Sequence, residues 1–329
     1  MNESHSPFSS PGEGTQKEVP AFPGPEIPPH FRCGFVSIVG RPNVGKSTLL
    51  NRILEEKVSI VSKVPQTTRH LVRGVYNDQR GQIIFVDTPG LIPGKDKLDH
   101  LLIRASLGSL GEADCIIHLV DTSVPTGVEE HQVVTHLKGM KVPVILGLNK
   151  IDLKGKYVPQ YISLWEEIKG KKIQQMDSLI LLPLSGKKGL NIEKLIDQIY
   201  QYLPEGPPLY PRDTVCDLPQ KIAIADIIRE KFLGVLRDEI PHSIAVVVEE
   251  MEPRRKNVYY IRAEVLVERD SQKEIVIGKK GLVLKEVGIL ARKELEELLE
   301  SKVFLEIYVR CEKRWRDNRG FLQDLGYDV

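Results

Sequence analysis

Apolar runs alternate with amphipathic stretches along residues 33–203. Five short runs are apolar at almost every position, and they lie at residues 35–39, 83–86, 115–120, 142–148 and 179–184. Such runs are typical of strands buried on both faces of a parallel sheet. Between them, apolar residues recur at helical spacing at residues 98–110, 129–138, 162–170 and 192–203. We therefore predict a doubly wound, mostly parallel α/β domain, in which residues 72–76 add a strand of the opposite sense.

The pattern changes after residue 219. It indicates a helix at residues 221–236, alternating strands at 243–250 and 258–267, helices at 271–277 and 282–300, and a last strand at 303–309. This α-β-β-α-α-β order predicts a separate α+β domain at residues 220–329. Five prolines within residues 204–219 cannot continue a helix and favour an extended linker. Residues 1–32 are rich in proline and serine and poor in apolar residues, which predicts a disordered extension.

Composition limits how the two domains can bind their partners and in which compartment they are found. The chain has 329 residues, enough for two buried cores, and its formal net charge is +1. Binding to nucleic acid or to a membrane must therefore come from local patches. The four cysteines lie far apart without a C-x-x-C pair, which favours idle thiols in a reducing compartment. No apolar run approaches the roughly 18 residues of a membrane-spanning helix, so we expect a cytoplasmic protein.

A phosphate-binding loop follows the apolar run at residues 35–39. Its residues are Gly40, Arg41, Pro42, Asn43, Val44, Gly45, Lys46 and Ser47, and Thr48 opens a stretch with helical spacing. The two glycines let the backbone bend so that its N–H groups face the phosphates of a nucleotide. Lys46 would reach the β- and γ-phosphates, and the Ser47 hydroxyl would bind Mg²⁺. The strand–loop–helix setting makes an accidental match improbable and predicts a nucleotide site.

A second motif comes directly after the predicted strand at residues 83–86. It consists of Asp87, Thr88, Pro89 and Gly90. An aspartate at a strand end can hold Mg²⁺ through its water shell, and the glycine N–H can face a γ-phosphate. As a lone match this sequence is often a plain turn. Its place 41 positions after Lys46, behind a buried strand, favours the phosphate-sensing interpretation.

A third motif selects the base. Asn149, Lys150, Ile151 and Asp152 follow the predicted strand at residues 142–148. The Asp152 carboxylate can accept from guanine N1–H and from the exocyclic amino group, which adenine does not offer in that arrangement, so GTP is favoured over ATP. Lys150 can cover the base plane, and Asn149 can tie this loop to the phosphate loop. Ser185, Gly186 and Lys187 follow the next strand and can offer a backbone N–H to the guanine carbonyl.

These motifs, in this order, resemble the translation-factor-like class of P-loop GTPases. The resemblance makes residues 66–70 the first switch, where a threonine hydroxyl binds Mg²⁺ while the γ-phosphate is present. The sequence leaves the register open between Thr67 and Thr68 and favours Thr68. Leu91 stands where many GTPases carry a water-orienting glutamine, so we expect slow unaided hydrolysis. In related GTPases with an apolar residue there, an asparagine at the position of Asn43 helps to hold K⁺. The resemblance thus implies K⁺-assisted catalysis by Lys46, Asn43, Thr68 and Gly90.

The second domain carries a G-x-x-G loop between two predicted helices. Ile277, Gly278, Lys279, Lys280 and Gly281 look like the RNA-binding loop of a type II KH domain, and the α-β-β-α-α-β order is that of this variant. The alternative is a helix-turn-helix with a solvated basic turn. Lys and Arg balance Asp and Glu from residue 221 onward, 21 against 21, but the basic residues gather near the C-terminus. We add Arg314 and Arg316 to the RNA-binding set, and expect Trp315 to pack on the domain.

Both domains together resemble the bacterial Era family of GTPases over residues 33–327. The resemblance rests on residues 66–70 and 237–243 and on the segment Trp315, Arg316, Asp317, besides the motifs above. It implies a monomeric ribosome assembly factor that binds and hydrolyses GTP with Mg²⁺ and binds the 3′ end region of 16S rRNA in the small (30S) subunit. It also implies peripheral association with the cytoplasmic side of the inner membrane.

Two other functions stay open. One is an RNA-binding module that nucleotide stabilises and in which turnover is incidental, and Leu91 keeps this interpretation open. The other is a membrane-surface GTPase of the cell cycle, for which basic clusters are the sole sequence support. RNA-dependent hydrolysis separates the first alternative, and binding to liposomes separates the second.

Overall fold

The structure is a computed structural model that describes residues 28–91, 94, 96–237, 240–254 and 257–327. The predicted disordered extension lies outside the described residues up to residue 27. Within the described ranges, no helix is long and apolar enough to cross a membrane. The chain forms a six-stranded sheet followed by a three-stranded sheet, each covered by helices.

The first domain is built on β1 (Arg32–Val39), β2 (Val72–Asn77), β3 (Gly81–Asp87), β4 (Cys115–Asp121), β5 (Val144–Asn149) and β6 (Leu179–Pro183). The strand order is β2-β3-β1-β4-β5-β6. All neighbouring pairs are parallel except β2–β3. This arrangement confirms the predicted doubly wound, mostly parallel sheet and its one strand of opposite sense. Because the order reverses beside β1, the carboxyl end of β1 is the expected ligand crevice.

Five α-helices cover this sheet: α1 (Lys46–Leu54), α2 (Lys97–Glu112), α3 (Val128–Leu137), α4 (Val158–Lys169) and α5 (Ile192–Tyr200). Successive strand residues point to opposite faces, so each central strand feeds two cores. Ile38 packs in the core that contains Leu49 of α1, whereas its neighbour Val39 packs with Val133 of α3 and Trp165 of α4. The two cores explain why these strands are apolar almost throughout.

The second domain comprises α6 (Gln220–Val235), α7 (Ile240–Ser243), β7 (Ala245–Arg254), β8 (Val258–Val267), α8 (Asp270–Ile277), α9 (Leu282–Leu298), β9 (Lys302–Cys311) and α10 (Arg319–Asp324). The sheet order is β7-β8-β9, with β7 antiparallel and β9 parallel to β8. Ile228, Ile261 and Val287 share its core. The short helices α7 and α10 were not predicted, because one or two turns leave too little periodicity to detect.

Residues 204–219 form no helix, and they lie against the first domain. The Val75 N–H donates to the Val215 carbonyl at 2.8 Å, and the Asp217 N–H donates to the Arg73 carbonyl at 3.2 Å. Gln82 Oε1 accepts from the N–H groups of two further residues of this segment. The segment therefore covers the edge strand β2, which would otherwise expose its unpaired backbone groups.

Candidate functional site

The phosphate loop connects β1 to α1 through three residues with positive φ. Gly40, Asn43 and Gly45 have φ of 155°, 62° and 101°. A Cβ at Gly40 would stand 2.3 Å from the Leu119 carbonyl oxygen. This close approach, together with the left-handed backbone, requires glycine. The loop thereby curls around the N-terminus of α1, where backbone N–H groups and the helix dipole favour an anion.

Lys46 lies inside the curve of this loop. Its Nζ donates to the carbonyls of Gly40 and Arg41 at 3.1 and 3.2 Å. Burial lowers the pKa of Lys46, and the Asp87 carboxylate partly restores it. Two neutral carbonyls compensate a buried ammonium poorly, so the position favours a phosphate as the missing counter-charge.

The three residues predicted to bind Mg²⁺ meet at one point. Ser47 Oγ donates to Asp87 Oδ2 at 2.7 Å and lies 2.9 Å from Thr68 Oγ1. Asp87 is fully buried, and among the described residues its Oδ1 has no hydrogen-bond partner. Burial raises the pKa of Asp87, opposed by Lys46 and the hydroxyls around it. A cation would satisfy the unpaired oxygen, and one carboxylate plus two hydroxyls suits Mg²⁺, which shares its shell with phosphates and waters. The set therefore fits Mg²⁺.

The structure distinguishes the two candidate threonines. Thr68 Oγ1 lies beside Ser47, whereas Thr67 Oγ1 donates to the Val64 carbonyl at 2.6 Å. A residue that the sequence did not indicate, Ser59, donates from Oγ to Asp87 Oδ2 at 2.8 Å. The geometry thus supports Thr68 as the switch ligand and adds Ser59 as a support for the carboxylate.

Asn149 and Lys150 tie the base-recognition loop to the phosphate loop. Asn149 Nδ2 donates to the Val44 carbonyl at 2.7 Å, and its Oδ1 accepts from the Gly186 N–H at 3.0 Å. Lys150 Nζ donates to the Asn43 carbonyl at 2.9 Å and to Asp121 Oδ2 at 2.6 Å. Asp121, at the end of β4, was missed in the sequence, where a lone aspartate after a strand carries no distinguishing signal.

A cavity of about 570 Å³ opens between these loops. Asp152 and Lys187 lie at its base-recognition end and Lys46 at its phosphate end. Four lining positions before the first switch were not predicted: Ile60, Val61, Ser62 and Lys63. They form an irregular loop without a polar motif, so only the fold brings them to the nucleotide. Lys188 and Leu153 also line the cavity without having been predicted.

Several predicted residues turn their side chains away from the cavity. Arg41 Nε lies 2.6 Å from Glu130 Oε1 on α3, a carboxylate that is almost fully buried. Thr88 Oγ1 donates to the Ile38 carbonyl at 2.9 Å, and Leu91 packs in the core beside Val39. These side chains support the loops of the site and do not line the cavity. In particular, the buried Leu91 cannot orient a water, as its residue type predicts.

The G-x-x-G loop separates α8 from α9. Gly278, Lys280 and Gly281 all have positive φ, of 73°, 53° and 75°. A Cβ at Gly278 would lie 2.4 Å from Val283 Cγ2 and 3.0 Å from its backbone nitrogen, so glycine is required. Lys279 and Lys280 are exposed, and Ile275 and Leu282 expose apolar surface on either side of the loop, 50% and 62% respectively. The arrangement can receive a sugar-phosphate backbone with unstacked bases beside it.

Arg316, which the sequence places in the RNA-binding set, makes a contact between the domains. Its Nη1 binds Asp96 Oδ2 at 3.0 Å, and Asp96 caps α2 of the first domain. Its role in RNA binding stays a prediction. Trp315 is fully buried and donates from Nε1 to the Ser243 carbonyl at 3.1 Å, which is the packing role expected. Arg314 is exposed.

The first switch contacts the second domain directly. Arg229 of α6 donates to the Thr67 carbonyl. Arg69 donates to the carbonyls of Ile244 and His242 at 2.7 and 2.9 Å. His70 Nε2 donates to the Leu325 carbonyl at 2.8 Å. Residues on both sides of Thr68 are therefore held by the domain that carries the G-x-x-G loop.

A second set of contacts with the second domain lies before the first switch, at residues 57–61. Lys57 Nζ binds Glu230 and Glu294 at 2.5 and 2.6 Å, and the Val61 N–H donates to Glu230 Oε1 at 2.8 Å. Glu230 belongs to α6 and Glu294 to α9, the helix that the G-x-x-G loop precedes. Sequence reasoning missed this interface, because its partners are separated by more than 160 positions.

Comparison with protein families divides the chain in the same way. The profile of the 50S ribosome-binding GTPase family matches residues 35–150. The profile of the KH domain family matches residues 239–316. The first match contains the phosphate loop and ends within the base-recognition motif, and the second contains the G-x-x-G loop.

Individual relatives match nearly the whole chain. The GTPase Era of Halothermothrix orenii is 41% identical over 297 residues, which cover 90% of this chain and 99% of the relative. That of Geobacter sp. (strain M21) is 44% identical over 91% of this chain and 98% of the relative. A crystal structure of Era with MgGDPNP and nucleotides 1506–1542 of 16S ribosomal RNA has a TM-score of 0.84 at 39% identity, covering 91% of this chain and all of that one. A point variant of Aquifex aeolicus Era bound to GDP·AlF4⁻ has the same TM-score and coverages at 40% identity.

Proposed function

We infer the function of this chain from one premise: it belongs to the Era family of GTPases. It is a GTPase with a KH domain. We propose that it binds the 3′ end region of 16S rRNA through the G-x-x-G loop and acts in assembly of the small subunit. The observation that carries the proposal is the position of Thr68. Its hydroxyl lies beside Ser47 in the set that fits Mg²⁺. Its two neighbours in the chain, Thr67 and Arg69, bind the second domain.

Guanine selection is assigned to Asp152. It lies at the end of the cavity away from Lys46 and is not held by another side chain in the described residues. Its carboxylate therefore stays available for the N1–H and amino donors of guanine. Adenine would leave it unpaired within the bound complex, which costs several kcal/mol. Asn149 and Lys150 hold the loop in the geometry that this recognition needs.

Hydrolysis depends on positioning and on compensation of charge. Lys46 places an ammonium at the β- and γ-phosphates, and the Gly90 N–H faces the γ-phosphate. Ser47, Thr68 and, through water, Asp87 would hold Mg²⁺, which would supply positive charge against the charge that develops on the phosphates. Because Leu91 is buried in the core, no side chain at that position orients the attacking water. We therefore propose a slow intrinsic rate.

Assistance by K⁺ is proposed for the same step. Asn43 Nδ2 donates to the Lys63 carbonyl at 2.9 Å, so an amide and a carbonyl oxygen lie together above the phosphate loop. Neutral oxygens of this kind suit K⁺, and a cation here would act where other GTPases place an arginine. Hydrolysis in K⁺ should exceed that in Na⁺ at equal ionic strength, and Asn43→Ala should remove the difference. Equal rates in the two salts for the unmodified chain would rule out this step.

The coupling between nucleotide and RNA runs, in this proposal, through the first switch. Release of Thr68 after hydrolysis frees a segment whose neighbours bind Arg229 and the carbonyls of the second domain. Residues 204–219 are bound along β2, so in this proposal they connect the domains, while the switch contacts supply the dependence on nucleotide state.

Single-turnover hydrolysis tests the proposed function. We expect GTP, and not ATP, to be hydrolysed, and we expect RNA that carries the 16S 3′ end to change the rate. A shuffled RNA of equal length and composition is the control. A rate that is indifferent to both RNAs favours the alternative of an RNA-binding module with incidental turnover. Peripheral membrane association and the monomeric state stay predictions, checked by liposome flotation at physiological salt and by analytical ultracentrifugation.

A further inference from the structure

Positive charge is in excess where the first switch meets the second domain. Arg69 and Arg229 are buried there, 7% and 3% exposed, and the one buried carboxylate beside them is Asp226, 7% exposed, among the described residues. Burial and the neighbouring Arg229 lower the pKa of Arg69 to about 9. A buried charge without a counter-charge is costly, so such a cluster favours binding of an anion.

The hydrogen bonds of these arginines leave one donor unused. Arg69 donates to two neutral carbonyls, those of Ile244 and His242. Arg229 donates from Nε and Nη2 to Asp226 Oδ1, and from Nη2 to the Thr67 carbonyl. Its Nη1 is buried and finds no partner among the described residues. Buried guanidinium donors are normally paired, so this one indicates an acceptor that the protein chain does not provide.

A cavity of about 80 Å³ adjoins these groups. Its lining includes Arg69, Arg229 and Asp226, and the other ionisable side chains that face it are His70, Lys221, Asp324 and Tyr327. This volume exceeds what one water requires and accommodates a small ion. Asp226 already accepts from Arg229, and its Oδ2 lies 3.4 Å from His70 Nδ1. Its negative charge is therefore already engaged by these neighbours.

We propose that this cavity is a binding site for one inorganic oxyanion of the phosphate or sulfate type. Arg229 Nη1 is its principal donor, and Arg69 supplies the second positive charge. A tetrahedral oxyanion carries oxygens in several directions, so one of them can accept from Arg229 Nη1 while the charge of the anion also faces Arg69. Because Arg229 also holds the Thr67 carbonyl, the bound anion braces the contact between the first switch and α6.

Diffraction from crystals of the full chain loaded with Mg²⁺ and a non-hydrolysable GTP analogue, grown with selenate, tests the site directly. The analogue fills the α-, β- and γ-phosphate positions of the phosphate loop, so selenate cannot bind there. We expect an anomalous peak in the cavity within hydrogen-bond distance of Arg229 Nη1. Ordered waters alone, or density continuous with the polypeptide, would overturn the proposal.

Calorimetric titration of the same protein, loaded with the GTP analogue, gives an independent result. Sulfate and phosphate should each bind with a stoichiometry of one, and chloride at equal ionic strength should show no saturable binding. Arg229→Lys keeps the charge but removes Nη1 and should weaken sulfate binding at least tenfold, whereas Arg292→Lys, exposed on α9, should change nothing. Equal affinity in Arg229→Lys and the unmodified chain would refute the assignment. If Arg229→Lys fails to fold, the selenate crystals still decide.

Discussion

The nucleotide pocket and the G-x-x-G loop place positive charge in opposite ways. In the pocket, Lys46 is buried and bonded to two carbonyls, and Lys150 is fixed between Asn43 and Asp121. In the loop, Lys279 and Lys280 are exposed, and the described residues provide neither with a hydrogen-bond partner. The pocket is organised before its ligand arrives, whereas the lysines of the loop become ordered on binding.

Because of this difference, the two sites discriminate between ligands to different degrees. A preorganised pocket spends little of its binding free energy on ordering side chains and penalises a wrong base by leaving buried groups unpaired. Exposed lysines attract any phosphate backbone, so their contribution depends on salt and little on sequence. Changes in the pocket should therefore alter affinity and selectivity strongly, and changes in the loop should act moderately and through salt.

The largest effect is expected for Lys46→Ala. Removing a buried ammonium that faces the phosphates should cost about 4 kcal/mol, roughly a thousandfold in GTP affinity. Calorimetry with GTP and Mg²⁺ measures it. Lys187→Ala, at the more open end of the cavity, is the control and should lose far less. A loss below tenfold in Lys46→Ala would show that the lysine does not reach the phosphates.

Asp152→Asn should follow in size. The amide can no longer accept from both guanine donors, so GTP affinity should fall about a hundredfold. Xanthosine triphosphate carries a carbonyl where guanine has its amino group, so its affinity should rise in the same variant. Competition binding with both nucleotides checks the exchange. A variant that loses GTP without gaining the xanthine nucleotide would show damage to the loop in place of altered recognition.

The loop should respond more moderately. Replacing Lys279 and Lys280 by glutamine should weaken RNA binding about tenfold at physiological salt and reduce the slope of log affinity against log salt by about one per lysine. GTP affinity should stay unchanged, because both side chains are exposed and distant from the cavity. An unaltered salt slope would place the RNA elsewhere. Gly278→Asp is a less selective test, since its Cβ would collide with Val283.

The smallest effect is a dependence on pH. Burial raises the pKa of Asp87, so its carboxylate takes up a proton at a higher pH than an exposed aspartate does. Mg²⁺ requires the charged form, so the affinity for Mg²⁺ should be full above that pKa and fall several-fold as the pH drops through it. Titration of Mg²⁺ into the GDP-bound chain between pH 7 and about pH 4 measures this. A flat profile would show that the Asp87 carboxylate does not help to hold Mg²⁺.

Most of the fold could be predicted because the signals are local. Apolar strands such as β4 and the loop at Gly40 identify themselves within a few residues, and so do the base-recognition and G-x-x-G motifs. Contacts between distant positions could not be predicted. Nothing in the sequence pairs Arg41 with Glu130, and nothing pairs Thr67 with Arg229, 162 positions away. These partners are ordinary polar or charged residues until the fold brings them together.

The same reason explains two contacts that the sequence did not indicate. Arg316 lies in a basic segment, which suggests RNA binding, and the structure pairs it with Asp96. The prolines of residues 204–219 predict an extended linker, and the structure places this segment along the edge strand β2. In both cases a local pattern was interpreted without the neighbour that the tertiary structure supplies.

In the proposed mechanism, Thr68 senses the γ-phosphate, and this contact determines how tightly the second domain binds RNA. The direct test is the affinity for RNA with the 16S 3′ end, measured on the same protein loaded with a non-hydrolysable GTP analogue and then with GDP. We predict a difference of at least fivefold between the two states, and a much smaller one in Arg229→Lys, where the contact with Thr67 is weakened. Equal RNA affinities in the two nucleotide states of the unmodified chain would show that the γ-phosphate does not control RNA binding.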